Sequence, residues 1–295
     1  MNPFALRLIR PLPLPVTPFP RETEASYLRR LGAANMVPAA QLMEPSHWLY
    51  SSQGYVARLA LLSGQPEESL LKAIPQLGHD PRSLGLDRTS ATHWACRRCA
   101  ARRTGTLDRI EVWRSRLHDQ VCVTHRLWTG QAVESPAYQL DLGDLPDIVR
   151  AQRHHHRLLQ RYGSGVVDVC YLKCSAFWNR LAQHGYRVSD RADRLLRLVK
   201  HNGEARPWDP RRYAAVYPEI VQTMDLFAVP RWRSMAGSKN ADEFDAFTAE
   251  FARRLPAESP LRTTARPWFH RELRRMATRI SSEAQPEEAD MFAGP

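Results

Sequence analysis

The chain has 295 residues, which is enough for one large domain or two smaller domains with hydrophobic cores of their own. Hydrophobic residues make up 43% of it and charged residues 25%, so wholesale disorder is excluded. The net charge of +11 favours a polyanionic partner, with nucleic acid as the first candidate. Only four of the 42 basic residues are lysine, so a GC-rich coding genome is an alternative source of the arginine excess.

The apolar runs, the N-terminal residues and the cysteine count all favour a reducing compartment. No run of about 18 apolar residues is present, so the sequence predicts no membrane span. Arg7 and Arg10 are followed by prolines where a signal peptide needs an apolar core, and we therefore expect a cytoplasmic protein. Five cysteines, an odd number, favour metal binding over a disulfide framework.

Residues 1–20 form a predicted proline-rich arm. Proline occupies every second position from Pro11 to Pro15, which excludes a helix or a central strand and predicts an extended chain. We expect the arm to lie as a strap on the surface of the domain. The alternative is a docking arm for a partner.

Residues 21–81 predict an N-terminal helical region. Its first helix begins near Glu22, and two shorter helices follow on either side of the turn Ser63-Gly64-Gln65. Pro66 suits the first position of the second short helix, which Pro75 ends. This is the outline of a DNA- or partner-reading helix-turn-helix. The alternative is an ordinary pair of packed helices.

Residues 82–130 contain the cluster that carries the chemistry. Cys96 and Cys99 are separated by two residues, and after 22 further residues Cys122 and His125 repeat that spacing. Each pair can place both side chains on one metal, and two pairs complete the tetrahedral nitrogen and sulfur site of a structural zinc ion. We therefore predict a small zinc ribbon with one structural Zn²⁺ per chain.

Other cysteines and histidines are weaker candidates. His93 and His118 lie near the two pairs and are alternative ligands. Cys170 and Cys174 are four residues apart on one helix without a second pair nearby, so we expect core residues. His154-His155-His156 lies on a continuous helix, where consecutive side chains diverge, and is expected to form a solvated face.

The predicted ribbon is strongly basic. A guanidinium fork suits phosphate oxygens, so its arginines are the candidate nucleic-acid contacts. They are Arg97, Arg98, Arg102, Arg103, Arg114 and Arg116. Interleaved tryptophans are expected to form the core of the small module.

The remainder of the chain predicts a helical region over residues 131–280 and a disordered acidic tail over residues 281–295. One amphipathic helix is expected from Leu145 to Tyr162, with Gly163 just beyond its end, and prolines including Pro218 are expected to separate further short helices. The fold class is therefore mainly α, a helix-turn-helix-containing helical protein with a small inserted zinc ribbon.

Catalytic motifs are missing from the sequence. It contains no phosphate loop, no G-x-S-x-G elbow and no H-E-x-x-H, and four protein ligands would leave the zinc without an open position for water. We expect a protein that is not an enzyme. A metal-dependent nuclease would need scattered acids to converge, and the ones considered are Asp168, Asp190, Asp193 and Glu219.

Several motifs of the N-terminal part follow one another in a specific order. They are the proline-rich start from Arg10, an acid at Glu22 or Glu24, the segment Ser26-Tyr27-Leu28-Arg29-Arg30-Leu31-Gly32-Ala33-Ala34-Asn35, the segment from Ala57 to Gly64, and the C-x2-C and C-x2-H pairs. In this order they resemble the pattern of the TniQ family. Together they cover about residues 7 to 130. The chain departs from the family pattern at positions 20–22, and it lacks a second cysteine-rich knuckle between Arg126 and Leu140.

The resemblance implies an accessory protein of DNA transposition, often a dimer, that links target-site selection to an AAA+ regulator and a transposase. The sequence leaves a second interpretation open, namely a stand-alone transcription regulator that uses the same helix-turn-helix and zinc module on DNA.

Overall fold

The structure is a computed structural model that describes residues 10–43, 52–78, 90–105, 109–115, 117–183, 189–202, 209–254 and 267–284. Within these residues the chain is mainly helical, with eleven α-helices and five short β-strands. The predicted fold class is confirmed at this level. The chain forms two compact units, one of residues 1–119 with 133–139 and the other of residues 120–132 with 140–295.

The first unit combines five helices with a two-stranded sheet. They are α1 (Glu24–Ala34), α2 (Ala39–Met43), α3 (Ser52–Ser63), α4 (Glu67–Ala73), β1 (Ser90–Trp94), α5 (Arg97–Thr104) and β2 (Glu111–Ser115). Thr23 caps α1 by accepting a hydrogen bond from the N–H of Ser26. Strands β1 and β2 pair antiparallel. One buried cluster, which includes Tyr27, Leu28 and Leu70, joins α1, α3 and α4.

The described part of the proline-rich arm, residues 10–20, is extended, as predicted. The N–H of Leu12 donates to the carbonyl of Leu62 at 2.9 Å. Asn35 binds the arm at both backbone groups of Leu14, accepting from its N–H and donating to its carbonyl, each at 2.9 Å. The described part of the arm is therefore a strap that lies on α1 and α3.

The second unit begins with a small three-stranded antiparallel sheet, in the order β3-β4-β5, and continues as a helical bundle. Its elements are β3 (Val121–Cys122), β4 (Leu127–Trp128), β5 (Leu140–Asp141), α6 (Pro146–Gln183), α7 (Ser189–Asn202), α8 (Pro210–Ala228), α9 (Pro230–Gly237), α10 (Ala241–Arg254) and α11 (Pro267–Glu283). Helices α6 and α8 pack against each other, and the indole N–H of Trp178 donates to Thr223 Oγ1 at 2.9 Å. Aromatic rings, Phe177 and Phe251 among them, fill the core.

Three boundaries differ from the sequence prediction. Gly163 interrupts the helix as expected, with φ at 76°, but helix resumes at once, so α6 is one kinked element. Pro218 lies inside α8 and does not end it, because 14 of its 19 residues are buried and that packing outweighs the cost of proline, about 3 kcal/mol. Helix α11 continues to Glu283, past the predicted start of the tail. Residues 285–295 lie outside the described part.

Candidate metal centre and basic surface

The first predicted ligand pair lies where β1 leads into α5. Cys96 is the N-cap residue of α5 and is fully buried, and Cys99 follows in the first helical turn. The side chain of Gln139 brackets this knuckle. Its Oε1 accepts from the N–H of Arg97 at 2.9 Å, and its Nε2 donates to the carbonyl of Ala95 at 2.8 Å. Gln139 thus fixes the backbone on both sides of Cys96.

The second predicted pair lies on a tight turn between β3 and β4. Cys122 ends β3, and the turn that carries His125 includes Arg126 in the left-handed region with φ at 51°. The Sγ atom of Cys122 and Nδ1 of His125 are 3.7 Å apart. A tetrahedral zinc ion with ordinary bond lengths holds a sulfur and a nitrogen ligand about 3.6 Å apart. The spacing therefore fits two ligands of one ion.

The structure brings all four predicted ligands together, with the ligand atoms of Cys96, Cys99, Cys122 and His125 within 4.8 Å of one another. Over the described residues this is the one group of three or more His, Cys, Asp or Glu side chains with such spacing, and it excludes His93 and His118. The four side chains are therefore close enough to hold one metal ion. Three thiolates and one imidazole fit zinc, and four protein ligands close its coordination sphere.

A buried glutamine supports strand β3, which carries Cys122. Oε1 of Gln152 accepts from the backbone N–H groups of Gln120 and Val121, both at 3.0 Å. The hydroxyl of Tyr217 donates to the same oxygen at 3.0 Å. Residues that hold the ligands of a metal ion in position through hydrogen bonds are part of the metal site. Sequence reasoning missed Gln152 and Gln139, because a single glutamine in a helix or loop carries no signal of such a role.

The close approach of two loop segments explains one glycine of this module. A Cβ atom at Gly130 would lie 2.0 Å from Oε1 of Gln120 and 2.8 Å from its Cα. The same oxygen accepts from the N–H of Gln131 at 3.0 Å. Any larger residue at position 130 would displace Gln120 and the start of β3 with it.

The six candidate nucleic-acid arginines lie in different environments. Arg98, Arg102 and Arg103 are exposed on α5. Arg97 is half-buried, and its Nη1 lies 3.5 and 3.4 Å from the carbonyl oxygens of Pro136 and Ala137. Arg114 is half-buried on β2, and Arg116 lies outside the described residues.

The helix pair α3–α4 has the predicted helix, turn, helix outline, with Gly64 at φ 65° in the turn and Pro66 as the N-cap residue of α4. In DNA-reading pairs the N-terminal residues of the second helix contact base edges. Here those positions are the exposed Glu67 and Glu68. Two carboxylates at this end oppose contact with phosphates.

The histidine tract diverges as expected but is not a solvated face. His155 is fully buried, stacks on Tyr171 with ring centroids 5.6 Å apart, and its Nδ1 lies 2.8 Å from the hydroxyl of Tyr217. His154 instead lies 3.3 Å from a carboxylate oxygen of Asp225. The prediction of a solvated face is wrong for His155, because α8 covers that side of α6.

Two further groups behave as structural residues. Cys170 and Cys174 are buried, as predicted, and burial raises the pKa of Cys170 to about 12 and that of Cys174 well above its ordinary value. Glu219 is bound by Arg194, which also contacts Asp147 at 3.0 Å.

Among the helices described, none has the length and apolarity that crossing a membrane requires.

In comparisons with known proteins, the chain matches no protein-family model, no curated protein and no solved structure. The function is therefore inferred from the chain's own residues.

Proposed function

We propose that the chain is a non-catalytic, zinc-stabilised adaptor of DNA transposition, similar to TniQ proteins, which links target-site selection to an AAA+ regulator and a transposase. The observation that carries the proposal is the group formed by Cys96, Cys99, Cys122 and His125, whose ligand atoms lie within 4.8 Å of one another. This group follows a proline strap and an arginine-rich first helix, in the order that the family resemblance requires.

Contacts among the residues of the resemblance support it further. The acid that follows the proline start, Glu22, is buried and bound by Arg30 of α1. Asn35, which ends the same helix, holds Leu14 of the strap at both backbone groups. The motif residues therefore form one packed arrangement of strap and helix, which gives their spacing a structural reason.

A structural role for the metal supports the absence of catalysis. Zinc activates water only when one coordination position stays open. Four protein ligands fill a tetrahedral site. The acids considered as a nuclease site, Asp168, Asp190, Asp193 and Glu219, form no metal-binding group among the residues that the structure describes.

Helix α5 supports contact with DNA. Its exposed arginines, Arg98, Arg102 and Arg103, project from the helix that contains Cys99 and is capped by Cys96, so zinc would hold a cationic surface in place. The stand-alone regulator remains the second candidate, because the α3–α4 pair has the required outline. The carboxylates of Glu67 and Glu68 favour a protein contact for α4 instead.

The test is affinity capture of the full tagged chain from its native cells. We expect an AAA+ ATPase and an integrase-type transposase to be recovered. A Cys96→Ser, Cys122→Ser variant should lose both, whereas Cys170→Ala, which alters a buried thiol away from the metal, should keep them. Recovery of promoter DNA without an ATPase would replace the adaptor by the regulator.

Catalysis is tested separately with supercoiled plasmid, Mn²⁺ and the pure chain. We expect no nicking. Nicking that follows the protein through purification, and that disappears when the four acids named above are replaced by their amides, would contradict the non-catalytic role.

A further inference from the structure

A second basic feature of the first unit lies between the strap, α1 and the end of α5. It is a cavity of about 790 Å³, within the size range of ligand-binding clefts. We call it the arginine groove, and its lining residues are Leu14, Pro15, Val16, Thr17, Arg29, Arg30, Ala33, Ala34, Trp94, Arg103, Thr104 and Arg109. We infer that the arginine groove binds single-stranded nucleic acid. This inference rests on the proposed role in handling DNA and narrows it to a site and a ligand.

Arginine supplies all the charged side chains that line the groove. Four of its lining residues are arginines and none is an acid. Arg29 and Arg30 are paired with carboxylates of their own unit, at 2.9 Å and 2.8 Å. Arg103 and Arg109 are exposed, and within the described part of the chain neither has a carboxylate partner. These two guanidinium groups are available to phosphates.

One of the two is also held in position. The guanidinium carbon of Arg103 lies 5.5 Å from the centroid of the Phe19 ring, and Phe19 belongs to the buried cluster beneath α5. A cation–π contact of this kind restricts the side chain without neutralising its charge. Less conformational entropy is therefore lost when a phosphate binds.

The remaining wall of the groove suits bases. The strap supplies Leu14, Pro15 and Val16, and Trp94 at the end of β1 supplies one aromatic ring. The indole N–H of Trp94 donates to the carbonyl of Glu134 at 2.7 Å, which fixes the orientation of the ring. A cationic groove with an aromatic platform is the general arrangement that binds single strands, because every base has a face that can stack.

Two other anionic ligands fit less well. An extended acidic peptide would gain affinity by pairing with the backbone of the strap. However, Asn35 already binds both backbone groups of Leu14, and Tyr27 already binds the carbonyl of Val16. Duplex DNA presents a convex backbone and keeps its base faces stacked inside, so it cannot use a concave apolar floor.

The experiment measures binding of the full zinc-loaded chain to a fluorescein-labelled oligo(dT) strand by anisotropy, over a series of salt concentrations. Unlabelled strand, a duplex of equal length and polyglutamate are the competitors. Each phosphate contact to a single strand contributes about −0.7 to the slope of log affinity against log salt. Arg103→Gln combined with Arg109→Gln should therefore reduce the slope by about 1.4.

The matched control is Arg275→Gln combined with Arg279→Gln, which removes the same charge from the exposed surface of α11, far from the groove in sequence, and should leave the slope unchanged. Trp94→Leu should weaken binding about five- to 150-fold, the range found for loss of one stacked base. Equal loss in both arginine pairs would overturn the groove while leaving general DNA binding intact. Better competition by the duplex or by polyglutamate would overturn the choice of ligand. No salt-dependent binding at all would remove the DNA role itself.

Discussion

The side chain of Glu22 connects the strap to α1, and its removal gives a quantitative test of that arrangement. The carboxylate is fully buried. One oxygen accepts from the N–H of Phe19 and from Arg30, both at 2.8 Å. The other accepts from the hydroxyl of Ser26 and again from Arg30, both at 2.9 Å. Four hydrogen bonds therefore depend on one side chain.

Replacing Glu22 with alanine leaves the Arg30 guanidinium, whose side chain is only 8% exposed, without this carboxylate. Removing one member of a buried ion pair costs about 3–5 kcal/mol, because the remaining charge stays away from water. A double variant, Glu22→Leu with Arg30→Met, removes both charges and should recover most of that loss. Recovery would identify the uncompensated charge, and not lost packing, as the cause.

The measurement is native-state hydrogen exchange of the α1 amides, because it reports the opening free energy of one region. A loss of 3–5 kcal/mol corresponds to exchange that is faster by a factor of about 10² to 10⁴. Glu68→Ala, on the exposed surface of α4, is the control and should change the free energy by about 0.5 kcal/mol or less. If Glu22→Ala behaves like this control, the pair does not hold the strap to α1.

Three further predictions concern Gln152, the five cysteines and Asp225. Gln152→Leu removes the oxygen that accepts from two backbone N–H groups of the β3 segment. We expect the free energy of unfolding to fall by about 2 kcal/mol or more, and zinc to transfer faster to a colorimetric chelator. Unchanged transfer would show that other contacts hold this strand. After zinc is removed by a chelator, three of the five thiols should react with a disulfide reagent. Cys170 and Cys174 should stay unreactive, because burial raises their pKa values. Five reactive thiols would contradict this prediction. The hydrogen bond from His154 lowers the pKa of Asp225. The stability difference between the native chain and Asp225→Asn should therefore be full above about pH 4 and disappear as the pH falls through that lowered pKa. A stability difference that persists in acid would refute this prediction.

The sequence predicted those features that depend on local spacing. Two pairs with two-residue spacing identified the four side chains that lie within 4.8 Å of one another, because such pairs form knuckles on their own. Alternating prolines identified the extended strap, and Gly163 identified the interruption in α6. Each of these signals lies within a few consecutive residues, so no knowledge of the tertiary structure was needed.

Features that depend on distant contacts were not predictable. Gln139 acts 42 residues from Arg97, and Gln152 acts about 30 residues from the strand that it supports. His155 is buried only because α8, about 60 residues later in the chain, covers it. Pro218 is tolerated in a helix for the same reason, since burial of the surrounding turns outweighs its local penalty. Tertiary contacts determine the environment of these residues, and the spacing of residues in a single sequence does not predict such contacts.

The most direct test of the account is the metal content of the purified full chain, measured by inductively coupled plasma mass spectrometry. The account predicts one zinc per chain, because three thiolates and one imidazole within 4.8 Å of one another form a closed tetrahedral set. The Cys96→Ser, Cys122→Ser variant should contain none, and Cys170→Ala should contain as much as the native chain. A native chain without zinc, or a ligand variant that keeps it, would contradict the account.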